Sequence, residues 1–170
     1  MDKDIYAVMR SRRSVRAYVD KPISEEALSR LGEAVNLAPT ACNRQPFTFR
    51  VVLNAEIRDR IAGVYTQPWL RQAPAIVLAI GNRDQAWKRP EGDSIVAVDA
   101  AIAMEHLVLA AAAEGLGTCW ICAYNMARMN HAAGILPPWE VIAISPLGHP
   151  DDRRPQPPRK PVSEIFQVVP

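Results

Sequence analysis

IVAVDAAIAMEHLVLAAAAEGLGTCWICA, residues 95–123, decides the architecture. From Ile95 to Glu114 it is apolar nearly all round and reads as the longest helix of the chain, buried and central. Asp99, Glu105 and His106 interrupt it, and a bilayer span tolerates such residues poorly, so the run reads as a core helix and not as a membrane helix. Gly115 and Gly117 end it, and TCWICA (118–123) follows as a strand. Upstream, APAIVLAIGN (73–82) is a continuous apolar run of strand length, the pattern of a strand covered on both faces. TFRVVLN (48–54) and VIAISPLG (141–148) read as further strands. Short helices fall at 57–64 and 126–134, and a first one at Asp4–Arg10 has Ile5, Val8 and Met9 on one face. SEEALSRLGEAVNLA (24–38) is a clearer helix: Ser24 caps it, Glu25 and Glu26 suit its positive end, and Pro39 stops it. Helices alternating with strands predict a sheet flanked by helices.

With 170 residues, 49% hydrophobic and 22% charged, the chain has the size and composition of one soluble domain with a real core. MDKDIYAVMR lacks the apolar stretch of a signal peptide. The three cysteines are odd in number and too few for a secreted disulfide framework. Both observations lead us to expect a cytoplasmic protein. From Pro150, PDDRRPQPPRKP is too rich in proline for a helix or central strand. It predicts an extended arm lying against something, such as a second subunit.

CWIC is a C-x-x-C, the spacing of a dithiol or half a metal site. Cys42, His106, His131 and His149 offer no second paired spacing, so no metal site is expected. Side chains three apart on a strand point to opposite faces, so Cys119 and Cys122 read as two buried small hydrophobes. No phosphate-binding glycine fingerprint, nucleophile elbow or H-E-x-x-H is present. An enzyme with this sequence takes its reactive atom from a cofactor and has no catalytic side chain of its own.

RSRRSVRAY (10–18) puts four arginines within seven positions, although the formal net charge is only +2. Nucleic acid, an anionic membrane and one small phosphorylated ligand all suit such a cluster. Guanidinium forks with a serine hydroxyl match a phosphate monoester, while a nucleic-acid binder carries its basic stripe over a whole face.

The cluster is followed by LAPTACNRQPF (37–47), DAAIAMEHLVLAAAAEGLGTCWI (99–121), and PLGHP with PPRKPVSEIF (146–150 and 157–166). In this order and at these separations, the four blocks resemble the FMN-dependent nitroreductase family over nearly the whole chain. The resemblance implies a single flavin-binding domain over 1–170 with an α+β, three-layer fold. A mixed, mainly antiparallel sheet would be flanked by helices, with 151–170 as the extended C-terminal arm. It also implies a homodimer with FMN at the subunit interface. Arg12, Arg13, Ser14 and Arg16 match positions that hold the phosphate, the ribityl chain and the pyrimidine side. Arg12 and Ser14 fall toward the phosphate, and Arg16 toward N1 and O2. Arg10 matches no contact and reads as solvated surface. Pro39, Thr40, Ala41 and Asn43 match contacts made from the partner subunit, while Gln45 and Pro46 either shape that turn or touch the flavin. Trp120, Ile121 and Cys122 match backbone passing O4 and N5, Arg159 matches a second phosphate cation, and Gln67 is a candidate for the pyrimidine edge.

Three positions depart from the family pattern. Cys122 stands where Gly is common, Pro157 where a phosphate-binding Lys is common, and His149 where an aromatic is usual. The chain also lacks room for the inserted helices that cover the site in larger members. The chemistry implied is ping-pong exchange: NADH or NADPH reduces the flavin, and a small electron-poor acceptor such as a nitroaromatic or quinone takes the electrons. Beside it stand an FMN-binding protein of the same fold without NAD(P)H turnover, serving flavin storage, sensing or other flavin-linked chemistry such as dehalogenation or flavin breakdown, and, from another class, a small nucleic-acid binder. The expected partners are a second copy and small molecules, with neither nucleic acid nor membrane.

Overall fold

The computed structural model describes residues 4–152 and 154–169. Its elements in chain order are α1 (Ile5–Ser11), β1 (Tyr18–Val19), α2 (Glu25–Asn36), β2 (Phe47–Val52), α3 (Ala55–Val64), β3 (Ala75–Asn82), α4 (Val96–Ala113), β4 (Gly117–Thr118), α5 (Met126–Ala133), β5 (Trp139–Pro150) and α6 (Val162–Ile165). Two 3-10 turns, Ala41–Asn43 and Pro68–Gln72, complete them.

Every residue of β3 is buried, as its unbroken apolar run predicts. The sheet order is β1-β5-β3-β2, with β4 beside β5, and every ladder is antiparallel. A single parallel bridge joins Ser14 to Thr118. Ala75, Val77 and Ala79 face α2 and α4, where Leu31, Met104, Leu107 and Ala111 are buried. Ile76, Leu78 and Ile80 face the opposite layer, with Ile61 of α3 and Met129 of α5. The result is the three-layer α+β arrangement that the sequence predicts.

By length and composition α4 is apolar enough to cross a bilayer. Here its Ala100, Ala103, Met104, Leu107, Val108 and Ala111 are buried in the core. Asp99 is buried with them, while Gly115 (φ +75°) supplies the left-handed residue that turns the chain out of the helix.

Two expectations are corrected. TCWICA is not a continuous strand: only Gly117–Thr118 pairs as β4, and a bridge returns at Ile121 opposite Ile144. In this register Cys119 falls opposite Pro146, which has no N–H to give the ladder. The Cys119 N–H donates to Ser145 Oγ instead, at 3.0 Å. With the strand broken there, Cys119 is buried as expected but Cys122 is exposed, against the expectation that both are buried. In α1, only Val8 of the apolar face is buried, while Ile5 and Met9 are exposed. The proline-rich segment itself carries no helix among its described residues, but the tail beyond it forms the single turn α6.

Candidate phosphate-binding site

Beyond α1 the chain runs extended beside the start of β4. The Val15 N–H donates to the Thr118 carbonyl at 2.8 Å. A Cβ at position 117 would lie 2.8–2.9 Å from the Val15 side chain, so the approach depends on glycine. On the other side, β1 pairs with the end of β5 and the Asp151 N–H donates to the Ala17 carbonyl at 2.9 Å. These contacts bring the arginine turn against the base of the C-terminal arm.

Arg12, Arg13, Ser14 and Arg16 line a cavity of about 360 Å³ together with Arg154, Pro155, Gln156, Pro157 and Arg159. Gln156 Nε2 donates to the Arg12 carbonyl at 2.6 Å, tying arm to turn. Asp152 is buried at the base. Its carboxylate accepts from the Arg16 N–H at 3.0 Å, the Arg154 N–H at 3.0 Å and Arg154 Nε at 2.9 Å. Arg13 lies 3.5 Å from the same carboxylate and also donates to the Asp152 carbonyl. The hydrogen bond from the Arg154 side chain is the main reason that the Asp152 carboxyl is held well below the usual carboxylate range, against the opposing effect of burial. Arg13 and Arg154 are therefore turned onto Asp152. Arg12, Arg16 and Arg159 make no ion pair among the described residues. Arg10, outside the cavity, pairs with Asp4 at 3.5 Å on the surface.

Arg16 lies over the Trp69 ring, 5.9 Å from its centroid, and Trp69 packs edge-on to Tyr65. Exposed Gln67 is the N-cap of the 3-10 turn that carries Trp69, two residues before it. Trp120 is exposed and its indole N–H donates to Cys122 Sγ at 3.3 Å. Ile121 exchanges both backbone hydrogen bonds with Ile144, so its N–H is committed to the sheet. The Trp120 and Cys122 N–H groups make no hydrogen bond among the described residues. They are the backbone donors of this segment that remain for a ligand.

Pro39, Thr40, Ala41 and Asn43 lie at the opposite end of α4. The Ala41 N–H donates to Asp99 Oδ1 at 3.1 Å, and Thr40 Oγ1 accepts from the Gln45 N–H at 3.0 Å. Asn43 Oδ1 accepts from Gln45 Nε2 at 2.9 Å. Cys42, Asn43 and Gln45 have φ of +51°, +52° and +49°. Three non-glycine residues in the left-handed region make this a strained loop. At 1.5 Å rise per residue, Asp99 and Ala113 are separated by roughly 20 Å. One chain therefore joins Arg12, Arg13, Ser14, Arg16 and Arg159 around one cavity and leaves the 39–43 loop at the other end of α4. Gln67 and Trp120–Cys122 do not line that cavity, and Cys122 lies beside Ile142, toward the N-terminal end of α4.

Sequence reasoning missed Asp152, Arg154, Gln156 and Asp99. The signal for the first two was the charge alternation DDRR, and for Asp99 a lone acid within an apolar helix. A larger cavity, about 790 Å³, lies between Thr48, Arg50, Ile80 and the 134–139 loop. It gathers one cation and no convergent polar groups, so chemistry and not size locates the candidate site.

Fold and cradle together define an α+β protein that presents a cationic pocket where the sheet edge meets its C-terminal arm. The chain belongs to the nitroreductase family, whose model matches residues 9–65 and 62–149. It is an oxidoreductase of that family. The FMN reductase [NAD(P)H] of Bacillus subtilis is 31% identical over 179 residues, covering 95% of this chain and 72% of that protein. A crystal structure of a nitroreductase family protein from Clostridium novyi NT aligns with TM-score 0.82 at 31% identity, covering 88% and 87% of the two chains. An iodotyrosine deiodinase of Thermotoga neapolitana is 23% identical, covering 94% of this chain and 96% of that one.

Proposed function

We propose that this oxidoreductase is a homodimer that binds FMN at its subunit interface, takes electrons from NADH or NADPH, and delivers them to a small electron-poor acceptor such as a nitroaromatic or quinone. The observation that carries this reading is the cradle of arginines and Ser14, assembled from both ends of the chain. Its donor set fits a phosphate monoester: forked guanidiniums and a hydroxyl surround a space of about 360 Å³. Arg12, Ser14 and Arg159 hold the phosphate, while Arg16, braced on Trp69, puts positive charge toward the pyrimidine side. The Trp120–Cys122 backbone offers N–H donors beside the ring. When bound, the flavin supplies the hydride chemistry, accepting from a reduced nicotinamide and passing electrons to the acceptor. The chain supplies orientation and fixed charge, and no acid or base.

The dimer is supported by the distance between the two halves of the site and by exposed apolar side chains. Ile5, Tyr6 and Met9 of α1, Val98 of α4, and Val162, Ile165, Phe166, Val168 and Val169 of the arm are all exposed. A second copy covers such surface and brings the 39–43 loop to the other subunit's cradle. The free thiols of Cys42, Cys119 and Cys122 suit a reducing cytoplasm.

The test is an anaerobic visible spectrum of the purified protein with FMN, before and after NADH or NADPH. A protein-bound flavin band that bleaches with either donor supports the reading; absence of FMN binding overturns it. A second reading, FMN binding without NAD(P)H turnover, is favoured by one observation. The Cys122 side chain stands exposed in the segment assigned to the flavin edge, where the family commonly has glycine. A bound flavin that stays yellow with both donors selects it.

A further inference from the structure

Asp152 is a carboxylate buried at the base of a pocket lined by Arg12, Arg13, Arg16, Arg154 and Arg159. Among the described residues its carboxylate partners are the Arg16 backbone N–H, three donors of Arg154 (the backbone N–H, Nε and Nη2), and Arg13. Those partners come from the two separate stretches of chain that form the cradle. We propose that Asp152 is the positioning residue of the phosphate site: it clamps the C-terminal arm to the N-terminal arginine turn, so that the cradle stands assembled before its ligand arrives. This rests on the FMN reading given above.

The charge count supports it. Two of the guanidiniums, Arg13 and Arg154, are turned onto Asp152. Arg12, Arg16 and Arg159 remain without an ion pair among the described residues, available to a phosphate of charge about −2. Without the carboxylate, five cations facing one another repel, and nothing ionic holds Arg154 near the turn. A pre-formed site binds more tightly because less ordering is left for the moment of binding.

The test compares FMN with riboflavin, which lacks the phosphate, by titrating flavin fluorescence with the purified full chain. In the unmodified protein FMN binds far more tightly than riboflavin. In D152N the FMN Kd rises about 10-fold or more, the loss expected for charge-assisted hydrogen bonds, while the riboflavin Kd moves less than about 2-fold. An FMN Kd that is unchanged or lower overturns the proposal, because the carboxylate is then a bystander or a competitor. A parallel rise for both flavins also overturns it, since the damage is then general. Failure of the unmodified protein to prefer FMN over riboflavin overturns the phosphate assignment itself, and this inference with it.

Should D152N not fold, R154A removes the arm side of the clamp at an exposed side chain. Trypsin cleavage after Arg159 in flavin-free protein then separates the roles. Faster cleavage in R154A means a released arm and supports the clamp. Unchanged cleavage with weakened FMN binding means that Arg154 acts only on the ligand, and overturns it.

Discussion

The two ends of α4 solve the same problem by different means. At its C-terminal end, the arginine turn is fastened by backbone bonds to Thr118, and its surplus charge is gathered on buried Asp152. At its N-terminal end, the 39–45 loop carries three left-handed residues and is fastened by the Ala41 N–H to buried Asp99 and by Arg44 Nη1 to the Ala86 carbonyl. One end organises side chains and the other organises backbone. Substitutions at the first end should therefore cost ligand binding with little effect on stability, and substitutions at the second should change stability.

The largest expected effect tests whether the two ends meet in one site. If FMN binds across the proposed dimer, a chain with R12A and R159A, and another with T40A and N43A, should each lose most FMN binding when purified alone. Unfolding and refolding the two together should restore about one quarter of the sites, because half of randomly paired twofold dimers are mixed and each mixed dimer has one intact site. Equilibrium dialysis with FMN checks this, and no recovery on mixing would mean that the loop and the cradle serve different sites. A middle-sized effect is expected at the loop's anchor. Asp99→Ala strands the Ala41 N–H, and urea unfolding should show a loss of about 2 kcal/mol. The smallest effect has the opposite sign. Cys42→Gly removes a side chain from φ +51° and should raise stability by about 1 kcal/mol, or roughly 2–4 °C in Tm by calorimetry. A drop in Tm would mean that the side chain at 42 holds the loop.

What was legible in the sequence was what local pattern controls. The apolar run at 75–82 and the long helix after it set the layers, and Ser24 marked the start of α2 by capping it, accepting from the Ala27 N–H at 3.2 Å. That the arginines and Ser14 of 12–16 act together was legible because their chemistry is carried by residue type, and they do line one cavity. What stayed hidden depends on partners far along the chain. No glycine announces the left-handed turns at Cys42, Asn43 and Gln45, which hold because Thr40 and Asp99 bond the loop. Pro146 breaks the strand at Cys119 from 27 residues away, visible only once the register is known. Asp152 looks like one more charge in a polar tail until the arm folds back and buries it against Arg13 and Arg16.

The two faces of β3 differ in a respect that has a consequence for its register. Toward α2 and α4 the strand presents Ala75, Val77 and Ala79; toward α3 and α5 it presents Ile76, Leu78 and Ile80. Both faces are apolar, so polarity does not record which is which. Volume does. A slip of one residue would drive three large side chains into the thin layer above, at about 1–3 kcal/mol each, and leave voids in the thick layer below, at about 2–5 kcal/mol each. The strand is keyed like a lock by the sizes of its alternate residues.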